Sequence, residues 1–224
     1  MQTSDWILII TTLFLGVIAI FGDRIKQLFY QPKANITFNE IAPYCQKTSY
    51  RIPDLHLNLP VFFFRFIVEN TGNAKLNNCE AILEQLWICD ASGKPNQLTS
   101  WTDITLVWAG GRRPIISLDP HRKGYCNLGH IASEFYQEKF EKQKTIDVPG
   151  KDDGGLRFFF ETNEIPNSQP SCLLPGKYAV KVILYSENIN PIELWFEIAW
   201  TGKWHDSETE MFSEITINQI KAPE

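Results

Sequence analysis

Gly110, Gly111, Arg112 and Arg113 are the consecutive residues whose types come nearest to chemistry. Paired glycines let the backbone curl into a nest of N–H groups, and two guanidinium forks suit phosphate or carboxylate. A small anionic ligand, such as a nucleotide, or an acidic partner segment is the guest such a loop would take, with Asp152 and Asp153 as carboxylates of a nearby lid. A solvated hairpin tip accounts for the same four residues equally well. His121, Cys126 and His130 follow with H-x4-C-x3-H spacing, which three zinc ligands could use. No second knuckle accompanies them, and Cys126 falls beside Tyr125 and Leu128 where a strand would bury it. The plainer reading is therefore solvent-facing histidines around a core thiol, with no metal expected. Trp204 and His205, beside Gly202, form a candidate partner-binding tip, whereas Trp195 and Trp200 sit on a strand pattern and read as core. Glycine-rich phosphate loops, G-x-S-x-G, H-E-x-x-H and C-x-x-C are all absent from the sequence. Catalysis has no starting set of groups, so the expectation is a non-enzyme with no catalytic residues and no cofactor.

The elements that must position these residues are mostly strands. Residues 34–41 alternate and read as a first strand, and residues 42–59, punctuated by Pro43 and Pro53, read as irregular. Residues 61–69, VFFFRFIVE, place Phe62, Phe64, Phe66 and Val68 on one face and Phe63, Arg65, Ile67 and Glu69 on the other. A turn at residues 70–73 follows, with Gly72 free to take positive φ. Residues 79–89 form the next strand, closed by a turn at 90–94. Residues 104–108 and 115–118 are short strands flanking the Gly-Gly-Arg-Arg loop. Residues 133–144 carry a narrow apolar face at helical spacing, with Glu138 and Lys142 four apart. Residues 147–155 are loop-like; residues 156–161, 178–185, 192–200 and 214–220 resume the β pattern.

The run FRFIVENTGNAKLNNCEAILEQLWI, with LPGKYAVKVIL at residues 174–184, resembles bacterial immunoglobulin-like β-sandwich modules of the cell-adhesion-related kind. In that architecture a hydrophobic strand, N-x-G and a second alternating strand form an opening hairpin. Pro-Gly then turns the chain into a strand whose tyrosine packs at a sheet corner. The resemblance implies an immunoglobulin-like antiparallel β-sandwich without catalytic activity. Such domains run to about 100 residues, so insertions or a second small sheet must fill the remainder.

Residues 6–21, WILIITTLFLGVIAIF, contain no charge. With flanking Arg24 and Lys26 able to snorkel, and Trp6, Phe29 and Tyr30 at the ends, they read as one transmembrane helix ending before Pro32. Basic residues follow this run while Asp5 precedes it, which places the C-terminal side in the cytoplasm of an inner-membrane, single-pass protein. A secretory signal peptide would need the opposite charge order, despite a small-x-small site at Val17, Ile18 and Ala19. From residue 34 onward the chain carries 18 Lys and Arg against 24 Asp and Glu. That balance, without a basic aromatic stripe, speaks against nucleic acid as a partner. The five cysteines lack a regular spacing and read as reduced, buried thiols.

The domains expected are an anchor at residues 1–31 and an all-β sandwich at residues 34–221. The function expected is a membrane-anchored, non-enzymatic interaction module that binds a protein partner or a second copy of itself. The alternatives are a sensor of an anionic small molecule at Gly110, Gly111, Arg112 and Arg113, or an exported envelope protein.

Overall fold

The computed structural model of the chain describes residues 3–52, 57–90, 92–133, 156–164, 169 and 171–223. Helix α1 (Thr3–Phe29) is followed by strands β1 (Ala34–Thr37), β2 (Cys45–Ile52), β3 (Leu57–Asn70), β4 (Leu76–Cys89), β5 (Pro95–Gln97), β6 (Ile104–Thr105) and β7 (Val107–Trp108). Then come β8 (Ile115–Leu118), β9 (Lys123–Ala132), β10 (Phe158–Phe160), β11 (Cys172–Leu173), β12 (Gly176–Tyr185) and β13 (Ile192–Trp200), followed by helix α2 (Glu208–Glu214) and strand β14 (Ile215–Ile220).

These strands form two antiparallel sheets of seven strands each. In the first, β3 lies between β9 on one side and β1 and β2, end to end, on the other. β9 in turn carries β10 and β7 along its far edge. In the second sheet the order runs β14, β13, β12 and β4, with β5, β6 and β8 sharing the outer edge of β4. The long alternating runs thus make continuous central strands, and the short ones tile their margins. Among the described residues the protein is all-β apart from two helices, with the sheets packed as a sandwich.

The inner faces meet in one core. Phe62, Phe64, Phe66 and Val68 of β3 oppose Leu83 and Leu86 of β4 and Val180, Val182 and Phe196 of β12 and β13, all essentially excluded from water. Phe66 of the first sheet stacks on Phe196 of the second, with ring centroids 5.8 Å apart. Full burial of each such side chain stabilises the fold by about 1.5–3 kcal/mol, so the alternation of three phenylalanines and a valine along β3 is its main contribution. The Tyr178 hydroxyl donates to the Leu174 carbonyl at 3.0 Å, tying the start of β12 to the chain that enters it.

Three expectations need correction. Residues 45–52 are a strand, not irregular chain: β2 is polar because it pairs only with β3 and lies at an edge. Pro60 sits inside β3, at the point where β2 alone flanks it, since β9 joins only from Val61 onward; there its missing N–H leaves no ladder bond unmade. Residues 104–108 are not one strand. Ile104 and Thr105 pair with β4 of the second sheet, and Val107 and Trp108 pair with β9 of the first, so the chain crosses between sheets at Leu106. Helix α2 was not expected from sequence; it buries only Met211 and lacks an apolar stripe. The helix expected at residues 133–144 and the lid loop at 147–155 lie outside the described residues, apart from Ser133.

Helix α1 covers the whole of the apolar run, and its described side chains from Trp6 to Phe21 are exposed except at Gly16. Among the described residues, however, no helix is long and apolar enough to cross a membrane. No disulfide joins the five cysteines; Cys45, Cys79, Cys126 and Cys172 are buried, and Cys89 is partly exposed.

Candidate functional site

A charged group is buried on the outer face of the first sheet. Glu161, one residue beyond β10, is only 3% exposed. Its carboxylate lies 2.6 Å from Nδ1 of His130 and 3.6 Å from the guanidinium of Arg112. Three elements bring these groups together, because β10 pairs with β9 opposite His130 while β7 and its following loop run along the same edge of β9. A bulge makes the arrangement: between Phe64 and Arg65 of β3 the register on β9 shifts, leaving Leu128 as the extra residue. Such a bulge re-aims neighbouring side chains. Here Arg65 Nε donates to Asn127 Oδ1 at 2.9 Å, and the Glu161 N–H donates to the Leu128 carbonyl. Gly129 is needed beside it, since a Cβ there would fall 2.4 Å from the Phe158 ring.

Aromatic rings wall the cluster. His130 stacks on Phe159 with centroids 5.3 Å apart and packs against Phe63 at 5.6 Å, while the Arg65 guanidinium lies 4.9 Å from the Phe63 centroid. Burial pushes the Glu161 carboxyl up. The His130 hydrogen bond, the His130 charge and the charges of Arg112 and Arg65 outweigh it, and hold the group below the ordinary carboxylate range. Burial is also the main influence on Arg65, and it lowers that guanidinium despite Glu161. The chemistry on offer is an oriented carboxylate and imidazole in a dry setting. Among the described residues no group of three metal-ligating side chains accompanies them.

The sequence-predicted ligand loop therefore meets this cluster. Gly110, Gly111 and Arg112 all take positive φ, at 84°, 150° and 51°. The loop is a hairpin end, closed by the Trp108 N–H donating to the Arg113 carbonyl. Arg112 turns back to Glu161 and to the Thr162 carbonyl, while Arg113 is exposed. Asp152 and Asp153 lie outside the described residues. His121 occupies an exposed turn at φ 61°, Cys126 is buried in the core, and His130 faces Glu161, so the three do not converge. Trp204 is not a projecting tip. Its ring packs edge-on against Phe62 with centroids 5.2 Å apart, covering the open end of the core. His205 beside it is half-exposed and lies 3.1 Å from the Glu214 carboxylate. Trp195 and Trp200 are buried, as expected of strand residues.

A second built feature was missed in the sequence. Just beyond α1, the Gln31 N–H donates to Asn73 Oδ1 at 2.8 Å, and the Asn73 N–H returns to the Gln31 carbonyl. The Thr71 N–H donates to the Lys33 carbonyl at 2.8 Å. Gly72 lies between these contacts, and a Cβ on it would fall 2.2 Å from the Gln31 carbonyl oxygen and 2.6 Å from the Lys33 nitrogen. Glycine is required here by close approach of backbone and not by positive φ, the reason expected from sequence. Asn70, fully buried, holds the turn from behind: Nδ2 donates to the Ala74 and Leu118 carbonyls and Oδ1 accepts from the Gly72 N–H. Its backbone also bonds both ways with the next turn, at His121 and Arg122.

The features described so far define a class: an all-β, two-sheet protein with an exposed N-terminal helix clasped to one end of the sandwich. The chain matches no protein-family model, and no curated protein is similar to it in sequence.

Proposed function

We propose that the chain is a membrane-anchored, non-enzymatic interaction module. In this reading α1 enters the bilayer and holds an immunoglobulin-like sandwich at the cytoplasmic face of the inner membrane, where it meets a protein partner or a second copy of itself. The observation that carries the reading is the clasp. The chain leaving α1 at Phe29 is hydrogen-bonded to the β3–β4 turn by Gln31, so no slack separates helix from sandwich. Such a joint serves a protein whose sandwich works at a fixed distance from a surface.

Three further observations support it. Helix α1 has 27 residues, about 40 Å at 1.5 Å per residue. Exposed apolar side chains surround it on every side, from Ile7 to Phe21. Its two hydroxyls, Thr11 and Thr12, donate to the Ile7 and Leu8 carbonyls at 2.8 Å, so neither needs water. For the immunoglobulin-like assignment, the bond from Tyr178 to the Leu174 carbonyl is the one that a tyrosine corner makes in such sandwiches.

Binding of an anionic small molecule at Gly110, Gly111, Arg112 and Arg113 is the second reading, favoured by the exposure of Arg113. It stands second because Arg112 already faces Glu161. Flotation with lipid vesicles tests the first. The full chain is expected to rise with the vesicles and to resist carbonate extraction. A variant lacking residues 1–31 is expected to stay in the soluble fraction with a β-type circular dichroism spectrum. A full chain that remains at the bottom of the gradient would remove the anchor, and a helical or aggregated fragment would remove the division into anchor and sandwich.

A further inference from the structure

We propose that the sandwich stands end-on against the bilayer, with the turns around the clasp docking on anionic phospholipid headgroups. This rests on the reading of α1 as a membrane anchor. The β8–β9 turn carries His121, Arg122 and Lys123 in succession, all exposed. It is fixed beside the clasp by the hydrogen bonds from His121 N to Asn70 O and from Asn70 N to Arg122 O, at 2.8 and 3.0 Å. Lys33, in the clasp itself, and Lys75, just after it, are exposed as well. Residues some ninety positions apart in sequence thus share one end of the molecule with the C-terminus of α1.

Charge separates this end from the rest. Its acids are held by neighbours: Asp119 lies 3.5 Å from Lys75, Glu69 lies 3.6 Å from Lys123, and Glu187 accepts from Asn78 Nδ2 at 2.6 Å. Lys33 and Arg122 have no acidic partner among the described residues. The end is therefore weakly cationic, on a domain carrying 24 acidic against 18 basic residues from position 34 onward. An anionic leaflet repels the acidic bulk and attracts basic side chains near its surface. Both forces turn the clasp end toward the lipid and keep the sandwich from lying flat.

The test uses the full chain reconstituted into vesicles, with a fluorophore on Asn188→Cys in a Cys89→Ser background, an exposed position held at this end by the backbone bond from the neighbouring Glu187 N–H to the Asn77 carbonyl. Nitroxide on the lipid headgroups reports proximity by quenching. Vesicles with about one third phosphatidylserine are expected to quench several-fold more than pure phosphatidylcholine, with the difference lost in high salt and in Lys33→Glu/Arg122→Glu. Equal quenching in both lipids, or no response to the double variant, in a chain that still floats with the vesicles overturns the docking and leaves the anchor standing. A chain that fails to float overturns both.

Discussion

Gly72 has backbone on the side where any other residue would place a carbon. Substituting alanine must displace either the Gln31–Lys33 segment or the turn that grips it, at about 1–3 kcal/mol. The cheaper route is to release the segment, because its hold is a few hydrogen bonds. Tryptic cleavage after Lys33 is therefore expected to accelerate in Gly72→Ala. It should stay unchanged in Gly16→Ala, where a Cβ meets nothing within 4 Å. Equal cleavage rates in the two variants would show that the clasp is not the restraint. Glu161 supplies the second expectation at this scale. Its folded carboxyl titrates below the ordinary range, so its ionised form stabilises the protein at neutral pH, and that contribution is lost as pH falls through and below about 4–5. In urea titrations, Glu161→Gln should lower stability at pH 7 by about 1–3 kcal/mol and flatten the decline toward acid. Exposed Asp206 and partly buried Glu214 also titrate low, but they affect both proteins alike. Parallel pH curves would remove Glu161 from the account.

At the level of elements, one flank of the sandwich is closed by exchange of carboxylates. Glu40, between β1 and β2, accepts from the Ile217 N–H of β14 in the opposite sheet, and Glu208 of α2 accepts from the Lys47 N–H of β2. Each therefore occupies an outward N–H that an unpaired edge would offer to another chain. Replacing both by alanine should cost about 1–3 kcal/mol per charged hydrogen bond and convert the protein to dimers or larger species in size-exclusion light scattering. A double variant whose mass in solution matches the parent's would show that other features guard the edges. Legibility in the sequence divides along the same line. β3 and β4 were readable because each buries one face and so alternates, and β12 and β13 because their centres are apolar runs buried on both faces. β2 and α2 were not, since edge pairing and a single buried Met211 leave little apolar periodicity. Arg112 was visible as a cation, but its partner was not: Glu161 follows it by nearly fifty residues, and only a charge closing the aromatic run of β10 hinted at burial. Asn70 and Gly72 read as an ordinary turn because their partners come from the chain before β1 and after β8.

Taken whole, the molecule has a greasy helix, a weakly cationic end, and an acidic body closed along one flank. Its four buried thiols lie in that body, and burial, aided by Glu40, pushes the Cys45 thiol up to about 12. Cys126 is raised by burial alone, and Cys89 is also raised, though it is the one cysteine that is not buried. Native protein should therefore consume close to one equivalent of an alkylating reagent and denatured protein five, a stoichiometry that mass spectrometry reads directly. Rapid loss of all five in native buffer would contradict the packing of both sheets. The chain consequently carries its own unfolding gauge: the number of alkyl groups acquired in a short pulse records how many molecules had opened, without any added label.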